Sequence, residues 1–337
     1  MKDRVALVIT SIAGSDHPIL NQYAKECYSK NISFIMAGDT KSPDDFSIEH
    51  CDFLSIETQS RLPFKIASLI PHKHYSKKNI AYLHAIDKGS EIIIETDDDN
   101  IPLESFWEER SQDLNGSLIE NGSWTNIYSY FSDENIWPRG FSLRHLSSQP
   151  VSIKEFDVKS YYCPVQQGLA DENPDVDAIY RLVLPLPFYF KQNDPVILGQ
   201  NSICPFNSQN TTWFKEAFAL LYLPSYCSFR MTDIWRSFIA QRIMWTCGWN
   251  LGFHNATVFQ KRNDHDLMHD FEDEISGYTN NEAIVKDLIN LELKEGKAYI
   301  YDNLKSCYTM LIEKNYIDEK ELILVDAWIN DLQKLTK

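Results

Sequence analysis

The chain has 337 residues, of which 43% are hydrophobic and 13% aromatic, enough for a substantial core in one large domain or two modest ones. Its formal net charge of −16 would repel a polyanion over most of the surface, so nucleic acid is excluded as an expected partner. No segment approaches the roughly 18 apolar residues that a membrane-spanning helix needs, and the first apolar run is too short for a signal peptide.

Seven cysteines occur without any C-x-x-C pair. An odd number without metal-type spacing is typical of reduced, mostly buried thiols rather than of a disulfide framework or a zinc site. Together with the missing leader pattern, this predicts a cytoplasmic protein. Peripheral attachment at the inner face of the membrane is the alternative location.

The first hundred residues alternate between strand and helix patterns. Residues 4–10, RVALVIT, form a continuous apolar run, which is typical of a strand buried on both faces. Residues 17–30 repeat apolar side chains every four positions and have Pro18 in the first turn, which predicts a helix. The same reasoning predicts three more strands and one more helix, at residues 32–40, 51–56, 91–96 and 78–89.

This alternation predicts an α/β fold of the Rossmann-like kind, with a mainly parallel sheet flanked by helices. In such sheets ligands bind beyond the carboxyl ends of the strands. The middle of the chain is less regular: residues 123–131 favour a strand, residues 180–190 favour an extended run, and residues 132–212 favour loops over a site.

The last hundred residues are predicted to be helical. Residues 231–248 form an amphipathic pattern, with Thr232 as a plausible N-cap. From residue 280 onward, apolar side chains recur at helical spacing and predict two or three packed helices. We therefore predict a binding and catalytic domain over residues 1–270 and a C-terminal helical extension over residues 271–337.

Three consecutive aspartates, Asp97, Asp98 and Asp99, follow the strand predicted at 91–96. Their mutual repulsion would be relieved by a hard cation such as Mg²⁺ or Mn²⁺, which takes one or two carboxylates together with substrate phosphates. Asp99 and Asp97 are the predicted metal ligands, since they leave the same side of an extended backbone. Asp97 and Asp98 are also predicted to contact the ligand. A solvated acidic turn is the alternative.

Other polar side chains near the strand ends are candidates for contacting a nucleotide. Thr10 and Ser11 end the first strand, and Asp39 ends the second. Lys78 and Asn79 begin the helix that precedes the aspartates. For the lysine, an ordinary position on a helix surface is the alternative.

Several blocks of the sequence are similar to those of one family, the STELLO glycosyltransferases. They include KKNIAYLHAIDKGSEIIIETDDDNIP, NIYSYFSDENIWPRGF, PVQQGLADENPDVDAIYRL, NSQNTTW and TDIWRSFIAQRIMW, between residues 77 and 246. The resemblance implies a GT-A fold that binds a nucleotide-sugar through a divalent cation. It also implies a more distant kinship with the reversibly glycosylated polypeptides, which are sugar-nucleotide mutases. Unlike the plant STELLO proteins, this sequence shows no membrane anchor, which favours a microbial cytoplasmic enzyme.

The resemblance implies that a sugar passes from a nucleoside-diphosphate sugar, expected to be a UDP-sugar, to a glycan or lipid-linked glycan acceptor. Asp233 is the predicted base of an inverting reaction, because it begins a helix whose dipole keeps it ionised. Inverting GT-A enzymes commonly use such a carboxylate. A simple helix cap is the alternative role. A sugar-nucleotide mutase and a catalytically silent scaffold are the alternative functions.

Residues on predicted loops complete the expected site. Arg139 is predicted to bind a phosphate or carboxylate of the donor, with an exposed loop position as the alternative, and Arg262 is predicted to face the diphosphate. The resemblance also implies His265 as a further metal ligand, with His254 less favoured. A solvated acidic helix start is the alternative for this region.

A second set of residues is predicted to bind sugar hydroxyls. It consists of Gln167, Asp175, Asp177 and Arg181. An internal ion pair from either aspartate to Arg181 is equally compatible with the pattern. The C-terminal helices are candidates for a homodimer contact, for acceptor binding or for stability alone.

Overall fold

The computed structural model describes residues 4–148, 158–261 and 266–335. The strands are β1 Val5–Thr10, β2 Ser33–Ala37, β3 Cys51–Leu54, β4 Ile92–Thr96, β5 Asn100–Pro102, β6 Asp113–Ile119, β7 Lys159–Tyr162, β8 Val165–Asp171, β9 Val196–Leu198, β10 Asn210–Phe214 and β11 Leu251–Gln260. The helices are α1 Pro18–Ser29, α2 Ile56–Arg61, α3 Lys78–Asp87, α4 Ala178–Val183, α5 Thr232–Thr246, α6 Leu267–Asn290, α7 Ile300–Glu313 and α8 Glu321–Leu335.

The strands form one sheet in the order β3-β2-β1-β4-β10-β8-β11-β9-β6-β7, with β5 paired to β11. The block from β3 to β4 is parallel, and antiparallel strands enter beyond it. Since β10 is antiparallel to both β4 and β8, the latter two run in the same direction. The carboxyl ends of β1, β2, β4, β8 and β11 therefore meet at one edge, and the predicted α/β architecture with helices around the sheet is confirmed.

The core lies on both faces of this sheet. In β1, Ala6 and Val8 belong to one hydrophobic cluster, while Leu7 and Ile9 belong to the cluster on the other face. This alternation explains why the sequence of β1 is apolar without interruption. As expected, all seven cysteines are free thiols.

The C-terminal helices share the larger of these clusters. Ile284 of α6, Leu304 of α7 and Trp328 of α8 belong to the same continuous core as Ala6 of β1. Helix α6 runs across residue 270, where we place the boundary between the two regions. No helix in the described ranges has both the length and the apolarity needed to cross a bilayer.

Four local predictions are wrong. Residues 123–131 form a 3-10 turn at Ile127–Tyr130 instead of a strand. Residues 180–190 begin inside helix α4 and are extended only afterwards. Thr232 does not cap α5, because it is the first helical residue and its side chain makes no capping bond. Strands β7 to β9 also lie within residues 132–212, which were predicted as loops because prolines, asparagines and glycines are frequent there.

Candidate functional site

A cavity of about 280 Å³ opens at the carboxyl ends of β1 and β2. Its volume is close to the lower end for small-molecule sites. The walls come from the segments after β1, β2 and β4 and from the loops before α3 and α5. The lining residues are Thr10, Ser11, Ile12, Ala37, Gly38, Asp39, Lys41, Lys73, His74, Tyr75, Lys77, Asp98 and Phe229.

Three lysines line this cavity, although the chain as a whole is strongly acidic. Lys77 is 2% exposed and lines the cavity. Burial lowers the pKa of Lys77, and the charge of Asp39 opposes this effect. Since the positive charge of Lys77 lies at this cavity, the cavity is suited to an anionic ligand. Lys41 and Lys73 are exposed and add positive charge.

Phe229 adds an aromatic face to the cavity. Its side chain is 51% exposed, and its ring lies edge-on to His74 and Tyr75, with centroids 5.9 and 6.2 Å away. An exposed aromatic ring beside a cationic cavity is the kind of surface on which a nucleobase can stack.

Thr10, Ser11 and Asp39 all line the cavity as predicted. Thr10 Oγ1 is buried and lacks a hydrogen-bond partner in the described part of the chain. Ser11 donates its hydroxyl to Asp98. Asp39 Oδ2 accepts the backbone N–H of His74 at 3.1 Å, so Asp39 joins the segment after β2 to the loop before α3.

Asp97 lies at the end of β4 and pairs with a buried lysine. Lys78 Nζ donates to Asp97 Oδ1 at 3.1 Å and to the Thr96 carbonyl at 2.9 Å. The Lys78 side chain is fully buried, whereas that of Asp97 is 28% exposed. Tyr75 also donates to Asp97 Oδ1, at 2.6 Å. Burial raises the pKa of Asp97, and the Lys78 charge opposes this. Lys78 is therefore not a surface lysine.

One of the two carboxylate oxygens of Asp99 accepts no hydrogen bond from the described residues. Gln260 donates its amide to Asp99 Oδ2 at 2.9 Å, whereas Asp99 Oδ1 is buried and has no partner among the described residues. Burial, followed by the charge of Asp97, raises the pKa of Asp99 to about 7. Such an oxygen, next to a second carboxylate, fits the requirement of a hard divalent cation.

The described residues contain no cluster of three or more His, Cys, Asp or Glu side chains arranged around a metal position. Mg²⁺ in phosphate sites usually takes only one or two protein carboxylates, so the prediction that Asp99 and Asp97 bind a metal does not require a larger cluster. Arg262 and His265 lie outside the described residues. His254 lies six positions before Gln260 on β11, on the order of 15–20 Å from the Asp99 end of the strand.

Asp233 belongs to a buried ion-pair network. Arg139 donates to Asp233 Oδ1 and Oδ2 at 3.1 and 3.0 Å, and to both oxygens of Asp175 at 2.8 and 2.9 Å. The backbone N–H of Ser208 also donates to Asp233 Oδ2, at 3.2 Å. Although burial opposes ionisation, the Arg139 guanidinium lowers the pKa of Asp233 to about 2.

Gly140 allows the Arg139 loop to approach helix α5. Its φ is +84°, and a β-carbon there would lie 2.4 Å from the Ile234 side chain. A larger residue would therefore push the loop away from α5 and separate Arg139 from Asp233.

Asp233 is nevertheless connected to Asp97, one of the two predicted metal ligands. The Ser208 hydroxyl lies 3.3 Å from Asp233 Oδ2 and 2.7 Å from the Tyr75 hydroxyl, which in turn contacts Asp97. Asp233 and Asp97 therefore belong to one hydrogen-bond network, while their roles as base and metal ligand stay predictions.

Several predicted ligand contacts have structural partners instead. Asn79 binds the backbone of Leu223 through both of its amide atoms. Asp177 caps α4 at Tyr180 N and accepts from Trp137. These two side chains are fully buried and do not line the cavity.

The remaining predicted sugar-binding side chains are also engaged within the fold. Gln167 bonds to four groups around Asn207 and β10. Asp175 pairs with Arg139, and Arg181 donates to the Pro174 carbonyl at 2.8 Å. The predicted alternative of an Asp175 to Arg181 pair is therefore replaced by a pair with Arg139.

Sequence reasoning missed Tyr75, Lys77, Ser208 and Phe229 as parts of the site. The basic run at residues 73–78 was a usable signal for Lys77, because it is the only small basic cluster of an acidic chain. No local pattern marks Phe229 or Ser208, since the tertiary fold alone brings them to this edge.

Comparison with solved structures gives weak similarities. Glucosyl-3-phosphoglycerate synthase from Mycobacterium tuberculosis in complex with phosphoglyceric acid has a TM-score of 0.38 and 9% identity, covering 85% of this chain and 78% of that one. Its complex with uridine-diphosphate also has a TM-score of 0.38 and 9% identity, covering 91% and 80%.

Sequence comparison gives matches of higher identity. The chain is 26% identical over 329 residues to "Probable glycosyltransferase STELLO2" of Arabidopsis thaliana, covering 90% of this chain and 42% of the relative. It is 25% identical over 321 residues to "Probable glycosyltransferase STELLO1" of the same plant, covering 88% and 40%. The chain thus spans less than half the length of these curated relatives. The family model described as STELLO glycosyltransferases matches residues 230–337, and the predicted resemblance to this family is confirmed.

Proposed function

We propose that this chain is a metal-dependent glycosyltransferase that takes a sugar from a nucleoside-diphosphate sugar, with a UDP-sugar as the expected donor. The proposed acceptor is a glycan or a lipid-linked glycan. The observation that carries the proposal is the adjacency of the cationic cavity to the acidic edge. Asp98 lines the cavity and accepts a hydrogen bond from Ser11, while the neighbouring Asp99 has a carboxylate oxygen without a hydrogen-bond donor among the described residues.

The cavity accounts for the nucleotide part of such a donor. Phe229 offers a ring for stacking, Thr10 Oγ1 offers a hydroxyl that has no partner within the described ranges, and Lys77 offers a positive charge on a buried side chain. A base would stack on Phe229, a ribose would bond to Thr10, and a phosphate would pair with Lys77. The relatives' names, which describe glycosyltransferases, agree with this assignment.

Asp99 and Asp97 would hold Mg²⁺ or Mn²⁺. When bound, this ion would neutralise the charge of the departing diphosphate. In the reaction, the bond from the anomeric carbon to the diphosphate oxygen breaks, and its electron pair leaves with the diphosphate. The acceptor oxygen bonds to the anomeric carbon and loses its proton to a base. Lys78 and Tyr75, which both bond to Asp97, would orient its carboxylate for binding the metal ion.

Asp233 as the base of an inverting reaction stays a prediction. Its position supports the proposal, since Ser208 and Tyr75 connect it to Asp97. Its basicity is low while Arg139 holds both oxygens. The proposed role therefore requires that the donor or acceptor displace part of this ion pair.

Titration calorimetry with UDP tests the proposal. We expect UDP to bind with Mg²⁺ or Mn²⁺ present and to bind much more weakly with EDTA. A silent scaffold would show no metal-dependent binding. Incubation with UDP-sugars alone then separates the enzyme classes, because a mutase would change the sugar without an acceptor, whereas a transferase would only hydrolyse the donor slowly.

A further inference from the structure

The segment from Tyr222 to Met231, here called the Phe229 segment, places Phe229 at the cavity. Helices α6 and α8, which are not part of the sheet, hold this segment in position. Helix α8 begins with Glu321, which is fully buried. Glu321 Oε2 accepts the backbone N–H of Tyr226 at 2.7 Å and that of Ser225 at 3.0 Å. The Tyr222 hydroxyl donates to its other oxygen.

Ser225, which bonds to Glu321, also contacts the opposite wall of the cavity. The Ser225 hydroxyl donates to the Ser76 hydroxyl at 2.7 Å. Ser76 lies between Tyr75 and Lys77, which both line the cavity. Glu321 is therefore two hydrogen bonds away from the turn that supplies the buried lysine.

Helix α6 fixes the other end of the Phe229 segment. Arg230 donates to Glu274 Oε1 at 2.7 and 3.0 Å, and the Ser228 hydroxyl donates to the Asp273 carbonyl. Phe229 itself is half exposed and lies between these two anchors. Its position consequently depends on helices that contribute no lining residue to the cavity.

We infer that Glu321 is a positioning residue for the nucleotide cavity, through which the C-terminal helix α8 sets the placement of Phe229 and of the Tyr75–Lys77 turn. This inference rests on the proposed function for its ligand. Phe229 and Lys77 are the groups that touch the ligand, and Glu321 acts on them through the backbone of Ser225 and Tyr226.

Helix α8 also offers a matched control. Asp331 is buried in the same helix and accepts a backbone N–H, that of Ile66, at 2.9 Å. Ile66 belongs to a 3-10 turn, Lys65–Ser68, that does not line the cavity. Loss of Asp331 should therefore destabilise the fold without moving the cavity walls.

The test compares Glu321→Gln with Asp331→Asn. A glutamine at 321 keeps one acceptor oxygen but turns an N–H₂ group toward backbone donors, so the Phe229 segment loosens. We expect the Kd for UDP with Mg²⁺ to rise about fivefold to tenfold in Glu321→Gln and less than about twofold in Asp331→Asn. Phe229→Ala should weaken UDP binding too, and its effect should shrink when combined with Glu321→Gln.

Hydrogen exchange supplies a second measurement that needs no ligand. Glu321→Gln should speed exchange at the amides of Ser225 and Tyr226 and in the Tyr75–Lys77 turn, whereas Asp331→Asn should speed it only at Ile66 and its neighbours. Unchanged exchange in the Tyr75–Lys77 turn of Glu321→Gln, or an unchanged Kd in that variant, would overturn the inference. If the unmodified chain binds no UDP, the proposed function fails, and exchange still decides whether Glu321 positions the turn.

Discussion

Asp99 illustrates how one residue can be unfavourable for the fold and useful for the site. A buried carboxylate oxygen without a donor costs about 1–3 kcal/mol. Its pKa, raised to about 7, means that the folded state disfavours the ionised form that a metal requires. A bound cation would relieve this cost, so ligand binding and stability are coupled at Asp99.

Asp99→Asn should therefore separate stability from binding. Above pH 7 the ionised Asp99 destabilises the folded state, so the amide variant without metal should be as stable as the unmodified chain or more stable, by about 1 kcal/mol. The metal-dependent affinity for UDP should fall at least about tenfold, because one ligand oxygen is lost. Thermal unfolding in EDTA at pH 8 and calorimetry with Mg²⁺ measure the two effects.

Asp113→Asn is a suitable control, because Asp113 is an exposed carboxylate at the start of β6 and does not line the cavity. Asp113→Asn should change neither the stability without metal nor the metal-dependent affinity for UDP. Metal-dependent UDP binding that persists in Asp99→Asn would show that the ion is held elsewhere.

At the scale of the element, helix α5 is attached to the sheet by buried charges. Arg236 pairs with Glu95 of β4 at 2.8 and 3.0 Å, and Asp233 pairs with Arg139 one turn earlier. Both ion pairs are buried, so removing one partner leaves the other charge buried without its partner. Helix α5 is thereby held at a fixed position relative to the strand that carries the aspartates.

The ion pair of Asp233 predicts a specific pH dependence of stability. Its pKa falls from 3.8 when unfolded to about 2 when folded, so the stabilisation is fully present above about pH 4 and is lost as the pH falls toward 2. Asp233→Asn should lower the free energy of unfolding by about 2 kcal/mol at pH 7. The difference from the unmodified chain should shrink between pH 4 and pH 2, as measured by urea unfolding.

The catalytic role of Asp233 needs a separate readout. If Asp233 is the base, Asp233→Asn should leave the Kd for UDP unchanged within about twofold and abolish transfer. Parallel loss of binding and turnover would instead assign Asp233 to holding α5 in place. Asp175→Asn is the comparison, since it also removes a carboxylate from Arg139 but is not a predicted base.

The sequence was sufficient for elements whose pattern is set locally. β1, β4 and α3 follow from an unbroken apolar run or a helical repeat, and Gly89, two residues after α3, has a positive φ of +81°, which favours glycine. It was insufficient where long-range contacts decide: β9 has three residues and exists because β6 and β11 flank it. Helix α5 was predicted to be amphipathic, yet nearly all of it is buried because α6 and the sheet enclose it.

The site likewise contains residues that could be predicted from the sequence and residues that could not. Residues that follow strands, such as Ser11, Asp39 and Asp98, were predictable, because parallel strands place their carboxyl ends together. The partners of Asp175 and Asp177 were not, since Arg139 and Trp137 lie nearly forty residues away in sequence. Polar side chains in a loop therefore looked like ligand contacts although they satisfy one another.

At the scale of the whole molecule, the C-terminal helices and the sheet share a core. Trp328 of α8 is fully buried, donates its indole N–H to the Ala219 carbonyl at 3.0 Å and packs against Tyr222. Tyr222 begins the Phe229 segment. Stability in the C-terminal region and order at the cavity should therefore rise and fall together.

Trp328→Ala should test this directly. Removing a fully buried tryptophan costs about 3–5 kcal/mol. With a shared core, calorimetry should show a single unfolding transition that moves as a whole to lower temperature. Independent units over residues 1–270 and 271–337 would instead give two transitions, with only the helical one shifted. Ile323→Ser is the control, because Ile323 lies on the same helix with 57% of its surface exposed and should shift the transition by less than about 0.5 kcal/mol.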